Sequence, residues 1–177
     1  TTETGDTVDE DDVGYSETWT CEVTANDGDD DSAIASDEYT TDAASVPSAC
    51  VTGSYRDKDY LMCPTYDQAW DDANTRCETM GYDGLAIIEN AEEQSYLESL
   101  MPSTTSGSYY WIGMTDRATE GTFIWRDGTR LGSGYSNWDV SEPDTPSGEN
   151  CVAWAVSGGY WHDDMCTGLR SYICESE

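Results

Sequence analysis

After residue 50 the apolar positions of this chain alternate between the spacing of a helix and that of a strand. Ala69, Trp70, Ala73, Cys77 and Met80 recur at helical spacing, which predicts a helix starting near Thr65 or Asp67 and stopping at Gly81. A short strand, Tyr60-Leu61-Met62-Cys63, precedes it. Leu85-Ala86-Ile87-Ile88 is apolar at every position, as a strand buried on both faces would be. Asn90 followed by Glu93 is a capping-box pattern that opens a second helix, running to about Leu100 with Pro102 beyond it. The remainder alternates loops with short aromatic runs predicted as strands: Tyr110 to Met114, Thr122 to Arg126, Cys151 to Val156, Tyr160-Trp161, and Ser171 to Glu175. Two helices followed by short strands and long loops make an α+β class. Residues 1–48 are different, and only residues 15–24 show a period: Tyr15, Trp19, Cys21 and Val23 fall on one side of a strand-like alternation. Such a strand needs a partner for its backbone groups, and a sheet edge of its own domain or of a neighbouring chain would supply one.

Charge separates the same two regions. Residues 1–50 contain 15 of the 37 acids and none of the seven Lys and Arg residues. With 14 Thr and Ser in that stretch, residues 1–48 read as a solvated, self-repelling arm, and residues 49–177 as the folded domain. Within the arm, Asp27, Asp29, Asp31, Ile34 and Glu38 have the spacing of an EF-hand loop, but Ser32 stands where that loop needs Gly and no helices flank it. An acidic linker accounts for the segment better. The net charge of −30 argues against nucleic acid and against anionic membrane surfaces, and favours cations or basic partners. No apolar run approaches the roughly 18 residues of a membrane span, so membrane insertion is not expected. Seven cysteines in so short a chain point to an oxidising compartment: a secreted, extracellular or cell-surface protein. The chain starts at Thr1 without a leader, which reads as a processed form or a fragment.

A longer pattern runs through the second region. Trp70-x2-Ala73-x3-Cys77-x3-Gly81, then Leu85-Ala86, Trp111-Ile112-Gly113 and Glu120-Gly121-x2-Phe123-x-Trp125-x-Asp127-Gly128 occur in that order. Ser136-Asn137-Trp138, Glu142-Pro143-Asp144, Glu149-Asn150-Cys151-Val152, Trp161-His162-Asp163 and Tyr172-x-Cys174-Glu175 follow. This series, from about residue 50 to the end, resembles the C-type lectin-like domain family. The resemblance implies a double-loop fold tied by Cys77–Cys174, a long loop tied by Cys151–Cys166, and the extra N-terminal hairpin of long-form members closed by Cys50–Cys63. Cys21 is left over, unpaired or bonded to another chain.

The resemblance also implies a Ca²⁺ site in the long loop. Carried over by position, its ligands are Glu142, Asp144, Glu149 and Asp163, with Pro143 cis between the first two. A second ion would fall to Asp116 and Glu120, with Thr145 and Asn150 beside them. Sugar binders of the family place the carbohydrate on the first ion, so Glu142, Asp144, Glu149, His162 and Asp163 are the candidate carbohydrate contacts. Two residues depart from the pattern. His162 stands where sugar binders carry Asn, which removes an oxygen ligand and an amide donor, and Asp144 offers no donor to a sugar hydroxyl. Trp125, Trp138, Trp154 and Trp161 match core positions, whereas Tyr109, Tyr110 and Tyr135 are free to line a surface site. Catalysis is not expected: the chain has one His and no nucleophile–base, zinc-protease or phosphate-loop pattern. The sequence thus reads as a calcium-associated module binding a glycan or glycoprotein. The alternative is a structural subunit of an extracellular filament or surface assembly, self-associating through the arm.

Overall fold

The computed structural model describes the backbone of residues 18–23 and 35–40 and the whole of residues 46–101, 109–144 and 148–177, except the side chains of Thr65 and Tyr66. The chain divides into two units, Thr1–Ser45 and Val46–Glu177. In the first, strand β1 (Thr18–Val23) pairs antiparallel with β2 (Ala35–Thr40), with Cys21 opposite Asp37. The periodic segment therefore has a strand partner inside the arm. Ala35-Ser36-Asp37-Glu38-Tyr39-Thr40 lacks the apolar alternation that would have announced a strand. The acidic loop pattern ends inside β2, and its remaining positions lie outside the described residues.

The second unit is built on one sheet. Its strands are β3 (Val51–Tyr55), β4 (Lys58–Gln68), β5 (Gly84–Leu85), β6 (Tyr109–Thr115), β7 (Ile124–Trp125), β8 (Cys151–Ala155), β9 (Trp161–Asp164) and β10 (Arg170–Ser176). The order is β3-β4-β10-β6-β8-β9, with β5 on β10 and β7 on β6. Only β10 and β6 pair in parallel. The fold is α+β, and the last strand lies in the middle, between β4 and β6 from earlier in the chain.

Both faces of this sheet are covered, and strand alternation sorts the core into two layers. Tyr60, Met62, Tyr110, Ile112, Val152, Trp154 and Ile173 enter one layer with Leu97 of helix α2 (Ala91–Leu100) and with Trp161. Leu61, Cys63, Trp111, Ala153, Tyr172 and Cys174 enter the other with Trp70, Ala73 and Cys77 of helix α1 (Trp70–Thr79). A strand buried on both faces has no polar positions, as in the run from Tyr110 to Ile112. Of the predicted strand Leu85-Ala86-Ile87-Ile88 only Leu85 pairs, in β5; the other three are buried in the core outside any strand, so the run records burial rather than strand pairing.

Helix α1 starts at Trp70, later than the predicted Thr65 or Asp67, because β4 continues to Gln68, which pairs with Arg170. Gly81 follows the helix at φ +90°, a conformation that suits Gly. Helix α2 starts where the capping pattern placed it: Asn90 Oδ1 accepts from Glu93 N–H at 2.9 Å. The Glu93 carboxylate reaches back to Glu89 N–H (2.7 Å) rather than to the cap's own N–H.

Disulfides join Cys50–Cys63, Cys77–Cys174 and Cys151–Cys166. The first ties the start of β3 to β4, the second ties α1 to β10, and the third spans β8 and β9 just after the long loop. That loop, residues 126–150, packs Leu131, Tyr135 and Trp138 onto the layer under α2 and carries the acidic candidates at its far end.

Candidate metal centre

Backbone bonds fix the base of the long loop before any ligand chemistry begins. Trp161 N–H donates to Asn137 C=O (2.8 Å) and Asp139 N–H to Trp161 C=O (3.1 Å), which seats residues 137–139 beside β9. Gln94 on α2 reinforces this from below: its Nε2 donates to Gly159 C=O (2.7 Å), and Tyr135 Oη donates to its Oε1 (3.1 Å). Asn137 Nδ2 donates to the same Gly159 carbonyl. Glu142 N–H closes a turn on Asp139 C=O, and the Glu142–Pro143 peptide bond is cis.

On this frame Glu142, Asp144 and Asp163 each place a carboxylate oxygen within 4.8 Å of the others. That limit is about twice a Ca–O distance of ~2.4 Å, so any two of the three oxygens are near enough to share one ion. Asp163 is only 5% exposed, and Asp144 N–H lies between Glu142 Oε2 (3.2 Å) and Asp163 Oδ1 (3.3 Å). The three carboxylates thus gather negative charge in a small, partly desolvated space. Burial and then the hydrogen-bonded Asp163 carboxyl raise the pKa of Glu142. Burial and then the charges of Asp144 and Asp163 raise that of Glu149. Glu149 therefore lies within electrostatic reach of the trio without belonging to it. Such an arrangement is relieved by a cation that accepts hard oxygen ligands.

His162 is held on both ring nitrogens: Nδ1 lies 3.2 Å from Glu142 Oε1 and Nε2 3.5 Å from Asp139 Oδ2. The Tyr109 ring meets the imidazole edge to face at 5.5 Å. Asp139 escaped the sequence reading. Its only signal was position, one residue beyond the Trp138 landmark, and the partner that gives it a role is 23 residues further along the chain (162 − 139 = 23). Of the tyrosines expected at a surface, Tyr110 is fully buried in the core, a correction that follows from its inward position on β6. Tyr109 and Tyr135 are half-buried at the base of the loop, Tyr135 against Trp161.

The second candidate ion site is less gathered. Asp116 is 1% exposed; its Oδ2 accepts from Gly121 N–H (2.7 Å), and its buried Oδ1 has no hydrogen bond. Glu120 is exposed, Asn150 contributes its carbonyl to Thr115 Oγ1 and Asp116 N–H, and Thr145 lies outside the described residues.

A doubly covered sheet, three disulfides and a carboxylate cluster on a long loop define a binding module of the lectin-like class. The sequence family "Lectin C-type domain" matches residues 66–176, and the chain belongs to that family. It is 34% identical over 132 residues to a tetranectin-like protein of Carcharhinus perezii, covering 73% of this chain and 78% of that one. It is 35% identical over 107 residues to the CD209 antigen of Symphalangus syndactylus, covering 60% of this chain and 27% of that one. The chain thus spans about a quarter of the length of the CD209-type relatives it matches. Among solved structures it is similar to the carbohydrate-recognition domain of the mouse scavenger receptor C-type lectin (TM-score 0.63, 29% identity, 74% of this chain and 95% of that one). It is equally similar to the herring type II antifreeze protein (TM-score 0.63, 30% identity, 73% and 97%). Family and fold are those of non-enzymatic binding modules.

Proposed function

We propose that residues 46–177 bind carbohydrate outside the cell through Ca²⁺ held in the long loop by Glu142, Asp144, Asp163 and Glu149. The observation that carries this reading is the convergence of the first three carboxylates on one point. Likeness to a carbohydrate-recognition domain supports the ligand class, while likeness to an antifreeze protein shows that the fold alone does not select it. When bound, Ca²⁺ supplies open coordination positions for a pair of sugar hydroxyls. The protein's own part is to accept hydrogen bonds from the sugar hydroxyls on Glu142, Asp144 and Glu149, with Asp163 buried beneath them. Extracellular residence agrees with three disulfides and with a chain in which, among the described residues, no helix is long and apolar enough to cross a membrane.

A calcium-dependent glycan array with thermal unfolding tests the reading. Excess Ca²⁺ is expected to raise the unfolding temperature and to support sugar binding that a chelator reverses. Glu149→Gln is expected to weaken Ca²⁺ roughly tenfold or more, because ligand charge sets affinity. Calcium affinity should also fall with acidification: Glu142 and Glu149 take up protons at a higher pH than ordinary carboxyls, and a protonated carboxyl is no ligand. Identical unfolding in calcium and in chelator removes the basis of the proposal.

A second reading has its own observation. The arm contains a two-stranded sheet, and a lone hairpin is marginal in water. A neighbouring chain that packs against it, with Cys21 in the contact, would make this domain a subunit of an extracellular assembly.

A further inference from the structure

We propose that the glycan taken by the long loop carries a free, protonated amine beside a hydroxyl, as a 2-amino-2-deoxyhexose does. The proposal rests on the long loop being the carbohydrate site of this module, and it names the class of sugar.

Donors and acceptors are unequal at this loop. A sugar hydroxyl has one proton to give and lone pairs to be met, so a site that suits hydroxyls offers donors as well as acceptors. The described side chains gathered here are acceptors: Glu142, Asp144 and Asp163 converge, and Glu149 feels the charges of the last two. His162 could donate, but both of its ring nitrogens already face carboxylates, Nδ1 at 3.2 Å from Glu142 Oε1 and Nε2 at 3.5 Å from Asp139 Oδ2. The Asp144 N–H is likewise turned inward, toward Glu142 Oε2 and Asp163 Oδ1. An ammonium group is the converse of such a site: it has three donors and no lone pair to leave unmet.

Charge points the same way. Four carboxylates outweigh one divalent ion, so a neutral sugar leaves the loop anionic, and Asp139 adds a further carboxylate behind His162. Ion pairs of Lys and Arg lie elsewhere: Lys58 and Arg126 serve Glu175, Arg117 serves Asp71, and Arg170 serves Asp164. A cationic ligand complements what they leave. Asp144 is exposed and Glu149 half-buried, and a carboxylate has two oxygens, so each can turn one to the ion and the other to the ligand. A hydroxyl and the amine on the neighbouring carbon then meet the two partners the loop provides, an open coordination position and outward carboxylate oxygens. N-acetylation removes the charge and adds a carbonyl that meets only acceptors, so the acetylated sugar loses what the free amine gains.

NMR titration of the calcium-loaded full chain with glucosamine, N-acetylglucosamine, glucose and lysine methyl ester decides the matter. Glucosamine is expected to bind about tenfold or more tighter than the other two sugars, one charge-assisted hydrogen bond's worth, and added salt should erode the difference. Asp144→Asn, which returns an amide donor and removes a charge, should bring the ratio of glucosamine to glucose affinity, read at saturating calcium, toward one. Equal affinities for the three sugars, a preference for the acetylated one, or a ratio that D144N leaves unchanged overturns the proposal; calcium-dependent binding of any of them still leaves the calcium reading standing. Lysine methyl ester binding as tightly as glucosamine overturns the assignment to a sugar. A glucosamine preference that survives a chelator sinks the calcium reading and leaves the amine on the carboxylates themselves. No sugar bound in calcium overturns both.

Discussion

Replacing Lys58 with Met is expected to destabilise the lectin-like unit by about 3–5 kcal/mol, the cost of leaving a buried charge without its partner. Glu175, on the central strand β10, is 0% exposed; Lys58 Nζ donates to its Oε1 (3.2 Å), Ile87 N–H donates to its Oε2 (3.1 Å), and Arg126 Nη2 lies 3.6 Å away. Lys58 also faces Glu93 at 3.8 Å, whose Oε1 accepts from Tyr60 Oη (2.5 Å), as well as Glu89 and Glu177. Burial opposes the Lys58 charge, but Glu175, Glu93 and Glu89 outweigh it and hold its pKa above the ordinary value. For Glu175 the balance runs the other way: burial, with Glu93 adding repulsion, pushes it from 4.5 up to about 7 despite Lys58.

That shift is worth about 3 kcal/mol and carries a sign. Between pH 4.5 and 7 the folded state holds a proton on Glu175 that the unfolded chain has lost. Its contribution is therefore most favourable below the unfolded value and declines as pH rises to about 7. Without Lys58 the carboxyl titrates higher still, so the penalty of Lys58→Met should be large at neutral pH and shrink toward pH 4.5. The double variant Lys58→Met/Glu175→Gln should recover part of the loss, since Glu175 is then neutral while the buried Glu93 still lacks its cation. Urea unfolding across this pH range measures all three. A loss that does not depend on pH, or that Glu175→Gln does not relieve, would mean that Lys58 acts through packing alone.

Removing the Cys77–Cys174 bridge by paired alanines is expected to cost about 4–5 kcal/mol, and removing Cys151–Cys166 about 3 kcal/mol, in the chain-entropy account. The difference follows from the separations they close, 97 and 15 residues. Function should rank them in reverse. Cys77–Cys174 lies in the layer under α1, whereas Cys151 follows Glu149 within two residues and Cys166 follows Asp163 within three. Loss of the second bridge should therefore weaken calcium more than loss of the first, measured by calcium titration of each folded variant below its unfolding temperature. Equal stability losses would contradict the loop-length account, and calcium unchanged without Cys151–Cys166 would show that the strands alone hold the site.

Much of this was legible in the chain because the signals are local. Trp70, Ala73 and Cys77 lie a turn or so apart, Asn90 and Glu93 make a cap within one turn, and the run from Tyr110 to Met114 announces a strand. The order of Trp, Gly and Cys landmarks carried the family, and with it the acidic positions of the long loop. Sequence also placed His162 at the point where the ion site departs from its relatives' pattern.

Contacts between distant segments had no such signal. Asp139 became part of the centre only when backbone bonds between residues 137–139 and Trp161 brought its carboxylate to the far side of the His162 ring. The start of α1 was set by strand pairing: Gln68 has a partner in Arg170, and a residue committed to a ladder cannot begin a helix. The arm's strand found Ala35–Thr40, a segment whose own pattern predicts nothing. Lys58 and Glu175, 117 residues apart, read as two ordinary surface charges until the last strand takes the centre of the sheet and carries Glu175 out of water. The chain by itself determined most of the elements of its second unit and the chemistry available to one loop, and its resemblance to a family supplied the bridges. The sheet order decided which of its many acids are buried, which are paired, and which lie close to one another, because desolvation and Coulomb energy depend on distance in space.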